Sequence, residues 1–163
     1  MVKKIVIPLD GSKVGEAALS YVEKLVANFL PETKVEVTLL QVVPSLPHYM
    51  AAGGEDMTNL PIVYTEKEIE QFKEDAAGYL NKVGEALRSK GAIVSIMVGI
   101  GQAAEEIIKA TDEINADLVA MSTHGRSGFS RWAFGSVTDR VLRGGSRPVL
   151  VVRPSKEEQS SLS

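Results

Sequence analysis

Apolar positions fall along this chain in two alternating rhythms. A compact run, Lys4-Ile5-Val6-Ile7-Pro8-Leu9, stops at the turn residues Asp10-Gly11-Ser12 and reads as a buried strand. Val14, Ala18, Val22 and Leu25 then recur at helical spacing, with Ser12 placed to cap the helix and Glu16 in its first turns. Pro31 closes this region, and Lys34 to Val43, rich in valine and leucine, predicts a second strand. Two strands joined through a helix make a βαβ unit, which demands parallel pairing and a right-handed crossover.

The same alternation continues to the end. Ile69, Phe72, Ala76, Leu80, Val83 and Leu87 form one apolar stripe and predict a helix from about Glu66 to Lys90, stopped by Gly91. A third strand, Ala92 to Val98, leads through Gly99-Ile100-Gly101 into a helix from Gln102 to about Glu113. The run Leu118-Val119-Ala120-Met121, with Ser122 at its end, is the fourth strand; a helix over roughly Phe134 to Arg143 follows, ended by Gly144-Gly145. Pro148 to Val152 is the last strand. Five strands alternating with four helices predict an α/β three-layer sandwich: a five-stranded, mainly parallel sheet with helices on both faces. Residues 1–154 read as a single domain, and the polar tail 155–163 is expected to be disordered.

One segment breaks the pattern. Pro44 to Thr65 holds three prolines and Gly53-Gly54, and it reads as a long mobile loop or lid. Its Tyr49, Met50, Met57 and Tyr64 suit either packing over a ligand or covering the sheet edge.

Composition narrows the class. At 163 residues with 44% hydrophobic and 24% charged, the chain fits one soluble globular domain with a proper core. No apolar run approaches the ~20 residues that span a bilayer, and the first residues do not read as a signal peptide. With no cysteine, disulfides and thiolate metal sites are excluded, and a cytoplasmic location is the simple expectation. A net charge of −3 offers no general attraction to nucleic acid. From His124 to Arg153, however, six arginines face one acid, Asp139. Most of them suit a solvated basic face, while Arg126 lies within a glycine loop.

That loop carries the chemistry. After the fourth strand come Gly125, Gly128 and Gly135, the last followed by Ser136 and a helical pattern. Strand, glycine loop and helix start together let backbone N–H groups surround an anion at a positive helix end, and a phosphate is the obvious candidate. Nine residues separate Gly125 from Gly135, enough to cross the mouth of a sheet and touch one ligand at both ends. Ser136 offers a hydroxyl and also suits a helix cap. Ligands of open α/β sheets sit beyond the carboxyl ends of strands, where the strand order reverses. Asp10 and Ser122 face one such crevice if their strands are neighbours. Asp10 then suits a ribose hydroxyl or an exocyclic amine, or serves only as a turn acid before Gly11. Pro8 and Val42 suit apolar walls for an adenine ring, or are ordinary strand residues.

On these residues the chain resembles the universal stress protein family, whose ATP-binding members carry Gly-x-x-Gly, nine residues, then Gly-Ser or Gly-Thr. Here that pattern falls on Ser122-Thr123-His124-Gly125, Arg126 to Phe134, and Gly135-Ser136, with Ser122 standing where the pattern has glycine. The likeness extends to Pro8 and Asp10, to Leu39-Leu40-Gln41-Val42, to Val98-Gly99 and to Gly-Ser-Val-Thr at 135–138. It implies a Rossmann-like fold of the adenine nucleotide alpha hydrolase-like kind and a site for ATP or another adenine nucleotide. It implies adenine near Pro8, Asp10 and Val42 and phosphates near Gly125, Arg126, Gly135 and Ser136. The full nucleotide-binding set it implies adds Leu9, Gly99, Ser122, Thr123, His124, Ser127, Gly128 and Val137. Mg²⁺ is expected to be carried by the phosphates, with no metal site of the protein's own.

The apolar last strand, Val149-Leu150-Val151-Val152, has no side suited to water, and in the expected order it lies at a sheet edge. An antiparallel homodimer through it follows from that pattern and from the family resemblance. Of the rival readings, Gly99-Ile100-Gly101-Gln102-Ala103-Ala104 matches a dinucleotide fingerprint but lacks the acid at the end of the next strand. No phosphate-loop lysine motif, nucleophile elbow or histidine metal pair occurs. No general base positioned to activate water on a γ-phosphate can be identified: His124 and Asp10 are the candidates, and a loop histidine more often positions backbone or lies at the surface. The expected function is therefore an ATP-binding stress-response regulator acting as a homodimer. A slow ATPase and a nucleotide-free interaction scaffold are the alternatives.

Overall fold

The computed structural model describes residues 2–28, 32–43, 48–49, 61–62, 65–123 and 135–154. In chain order the elements are β1 (Val2–Pro8), α1 (Ala17–Asn28), β2 (Lys34–Val43), β3 (His48–Tyr49), β4 (Pro61–Ile62), α2 (Glu66–Ser89), β5 (Ile93–Ile100), α3 (Ala103–Ile114), β6 (Leu118–Ser122), α4 (Ser136–Gly144) and β7 (Val149–Val152).

Five strands form one sheet in the order β5-β2-β1-β6-β7, and all four pairings are parallel. The chain winds outward from β1 through β2 to β5, then crosses back to β6 and β7. Right-handed crossovers taken in opposite directions put their helices on opposite faces. Side chains of successive strand residues alternate between those faces, so each strand feeds two cores. Ile5, Ile7, Val37 and Leu39 pack with Ala18 and Val22 of α1 and with Leu80 and Leu87 of α2. Val6, Leu40, Val119 and Met121 pack with Ala104, Ile107 and Ala110 of α3 and with Val141 of α4. Ile7, Leu39, Val6 and Val22 are fully enclosed, each contributing about 1.5–3 kcal/mol through burial.

Several element boundaries differ from the sequence reading, for identifiable reasons. Helix α1 begins at Ala17 instead of just after Ser12. Ser12 does accept the Gly15 amide at 3.0 Å, as a cap would. The residues that follow form tight turns, with Glu16 N–H bonding Lys13 O and Ala17 N–H bonding Val14 O, each at 3.2 Å. The helix buries Ala18, Leu19, Val22 and Val26, while Val14 and Leu25 are half-buried. In α2 the apolar stripe sinks into the core only from Ala76 onward, and Phe72 is 38% exposed. Gly84 joins that buried row because a Cβ there would stand 3.1 Å from Val94 Cγ1 and 3.2 Å from Leu39 Cδ1. Thr65 and Glu68 close a reciprocal capping box at the start of α2. β5 runs to Ile100, two residues past the expected end, because its pairing with β2 continues to Val43↔Ile100.

The segment read as irregular contains a short antiparallel pair, β3 with β4, in register His48↔Ile62 and Tyr49↔Pro61. Met50, Met57 and Tyr64 lie outside the described residues, as does the tail 155–163. Among the described residues no helix is long and apolar enough to cross a membrane.

Candidate functional site

β1 and β6 are neighbours, with Ile5↔Leu118 and Val6↔Val119 in register. β1 goes on to pair with β2 as far as Pro8↔Leu40, and β6 with β7 as far as Ser122↔Val152. Past Val6 and Val119 the two central strands therefore part, at the point where the direction of winding reverses. A cavity of about 250 Å³ opens there.

Its floor is apolar: Leu40 and Val42 from β2, Met121 from β6, Ala103 and Ile107 from α3, and Val137 from α4. Pro8, Leu9, Asp10 and Gly15 form one side; Ser122, Thr123, Gly135, Ser136 and Thr138 complete the lining. Leu9 is held by its amide on Leu40 O at 2.8 Å, and Thr123 by its amide on Val152 O at 2.9 Å. These bonds carry the two strand ends into the cavity wall.

Asp10 sits in an Asx-type turn, its Oδ1 accepting from Ser12 N at 2.9 Å and Ser12 Oγ at 2.6 Å. Glu16, in the next turn, takes Lys13 Nζ at 2.9 Å and the Tyr79 hydroxyl at 3.3 Å. Burial first, then the adjacent Glu16 carboxylate, raise the Tyr79 phenol well above its ordinary range and keep it neutral. A neutral donor thus links α2 to the turn that walls the cavity.

Across the cavity stands the start of α4. Gly135 is its N-cap, with no side-chain cap bond, and Ser136 is its first helical residue. Ser136 is thus not the cap that the sequence suggested. The first amides of a helix have no acceptor within it, and they carry its positive end. Among the described residues, nothing lies within 4 Å of where a Cβ on Gly135 would be, and its φ is −60°. Among the described residues nothing requires glycine here, which leaves room for a group approaching from the cavity.

Gly99 and Gly101 behave differently. A Cβ on Gly99 would lie 3.3 Å from Glu106 Cβ and Oε2, and one on Gly101 would lie 3.4 Å from Glu106 Cγ and Oε1. The space left by these glycines is filled by the chain's own carboxylate, which opposes a phosphate at the 99–104 fingerprint. Gly99 pairs with Val42 but is not part of the cavity lining.

The structure thus gathers Pro8, Leu9, Asp10, Val42, Ser122, Thr123, Gly135, Ser136 and Val137 around one cavity. His124, Gly125, Arg126, Ser127 and Gly128 lie outside the described residues. Sequence reasoning missed Gly15, Leu40, Ala103, Ile107, Met121 and Thr138. Strand alternation signals Leu40, two before Val42, and helical spacing ties Ala103 to Ile107. Among the described residues no cluster of three His, Asp or Glu side chains could hold a metal ion.

Fold and cavity together define a doubly wound α/β protein with an open crevice at its topological switch point. The chain belongs to the universal stress protein family, whose model matches residues 1–153. It is 34% identical over 159 residues to universal stress protein MJ0531 of Methanocaldococcus jannaschii, covering 96% of this chain and 85% of that one. The solved structure of MJ0577, from the same organism, superposes with a TM-score of 0.68 at 26% identity, covering 94% of this chain and 97% of that one. A universal stress protein family protein of Arabidopsis thaliana, solved with AMP bound, shares the fold: TM-score 0.61, 15% identity, 96% and 94% coverage.

Proposed function

We propose that this protein binds an adenine nucleotide, ATP first, and acts as a stress-response regulator in the cytoplasm. The observation that carries the reading is Gly135, a glycine with open space at its Cβ position among the described residues, at a helix start without a side-chain cap that lines a cavity. The apolar floor suits a purine ring, Asp10 offers an acceptor to an amine or a ribose hydroxyl, and the first amides of α4 receive phosphate. The family resemblance adds His124, Gly125, Arg126, Ser127 and Gly128 to the nucleotide-binding set, and the phosphates would bring Mg²⁺ with them. The AMP in the Arabidopsis relative supports the ligand class.

The same reading includes a homodimer. β7 ends the strand order, and Val149, Leu150, Val151 and Val152 are all only half-buried. A second copy paired antiparallel would satisfy that edge and cover the apolar row.

Calorimetric titration with ATP, AMP and adenosine tests the ligand. Gly135→Val is expected to keep the unmodified melting temperature and to lose ATP binding. Undiminished ATP affinity in that variant overturns the site.

A further inference from the structure

Ser122 stands where the family pattern has glycine, and its hydroxyl is fully engaged within the protein. Oγ donates to the Gly15 carbonyl at 2.7 Å and accepts the Ala18 amide at 2.8 Å. Ala18 is the second residue of α1, so its amide is one that no turn of that helix can satisfy. Such an amide is ordinarily capped by the side chain just before the helix. Here that residue is Glu16, whose carboxylate is turned to Lys13 and Tyr79. The cap comes instead from β6, 104 positions further along the chain.

Its location gives the cap a second consequence. β1 and β6 are in register only at Ile5↔Leu118 and Val6↔Val119, and the crevice opens where they part. Ser122 spans that opening, from the end of β6 to the turn after β1. Gly15 and Asp10, both in the cavity lining, belong to that turn.

We propose that Ser122 is a positioning residue of the nucleotide site: by capping α1 from the neighbouring strand, its hydroxyl sets the width of the crevice and the place of the Asp10–Gly15 wall. The proposal rests on the nucleotide reading above. A glycine at this position leaves the two strand ends joined by the backbone alone. Serine therefore tunes the half of the site that meets the base and ribose, not the phosphate end at α4.

The experiment compares Ser122→Ala, Ser122→Gly and Ser122→Thr by amide hydrogen exchange and by titration with adenosine and with ATP. Loss of one cap corresponds to roughly a five- to tenfold change in an equilibrium constant. Ser122→Ala and Ser122→Gly are expected to speed exchange at Ala18 and to weaken adenosine and ATP by that same factor. Equal loss for both ligands marks the base-and-ribose half. Ser122→Thr keeps the hydroxyl and is expected to restore both readouts, which guards against a variant that is merely misfolded. Unchanged Ala18 exchange in Ser122→Ala overturns the cap. Faster exchange with unaltered adenosine and ATP affinity overturns the positioning role. Failure of the unmodified protein to bind either ligand removes the nucleotide reading and the positioning role with it, while the exchange data still decide the cap.

Discussion

Gly15 and Asp10 are in such close contact that position 15 excludes any side chain: a Cβ there would lie 2.6 Å from Asp10 Oδ1. The same atom would stand 3.3 Å from the Ser12 carbonyl oxygen and from Ser12 Oγ. The carboxylate has little freedom to give way, because Ser12 holds the same oxygen through both its amide and its hydroxyl. The aspartate that faces the cavity is therefore aimed by the absence of atoms two turns away.

Gly15→Ala is expected to push the Asp10 carboxylate out of its turn and weaken adenine nucleotide binding about tenfold, ~1.4 kcal/mol. The fold should survive, since the nearest atom belongs to the exposed Asp10 side chain, although Gly15 itself is buried. Calorimetry alongside far-UV circular dichroism checks it, and wild-type affinity for ATP would show that Asp10 does not meet the ligand.

Tyr79 gives a pH signature. Its phenol is raised in the folded protein by burial and by Glu16, so the fold favours the protonated form. Below about pH 10, the ordinary tyrosine range, both states hold that proton and the group contributes no slope. Above it the unfolded chain releases the proton first, binds fewer protons than the fold, and is favoured as pH rises. Stability should therefore fall with alkaline pH, and less steeply in Tyr79→Phe. Denaturant unfolding at several pH values between 9 and 12 measures the difference.

Val151→Lys places a charge in the proposed β7 contact. Sedimentation at tens of micromolar should show the unmodified chain as a dimer and the variant shifted to monomer, with ATP affinity retained. A monomeric unmodified chain at that concentration rejects the interface.

Leu80 is fully enclosed between α2 and the sheet, on the face away from the cavity floor. Leu80→Ala should cost about 2–5 kcal/mol in chemical denaturation. Nucleotide affinity, measured where the variant is still folded, should stay within twofold of the unmodified protein.

The fold was legible because its signals are local and repeated. Ile5, Val6 and Ile7, or Leu118 through Met121, announce strands buried on both faces, and the alternation with helices implies the sheet. That Pro8, Asp10, Val42, Gly135 and Ser136 come to one cavity was legible because strand ends and a glycine-led helix start mark themselves. Ala103 and Ile107 were not, since an apolar pair on a helix looks the same whether it faces a core or a cavity. Nor was the cap on α1, because Ser12 carries the local signature while the hydroxyl that reaches Ala18 belongs to Ser122. Gly99 illustrates the converse: only the neighbouring helix shows that Glu106 fills its space.

The central place of β1 has a consequence for how the molecule comes into being. β1 leaves the ribosome long before β6, its neighbour on the other side: Lys4 bonds Asp117, 113 positions further along. At ~5–20 residues per second, that is a wait on the order of ten seconds. During it the edge that will meet Leu118 and Val119 has no native partner, and Ala18 has no cap. The crevice cannot exist before β6 arrives, so a nucleotide bound there would stabilise only a chain that has nearly finished folding and would not guide the earlier steps. Aggregation during synthesis should therefore respond to chaperones that cover open strand edges, and be indifferent to the supply of ligand.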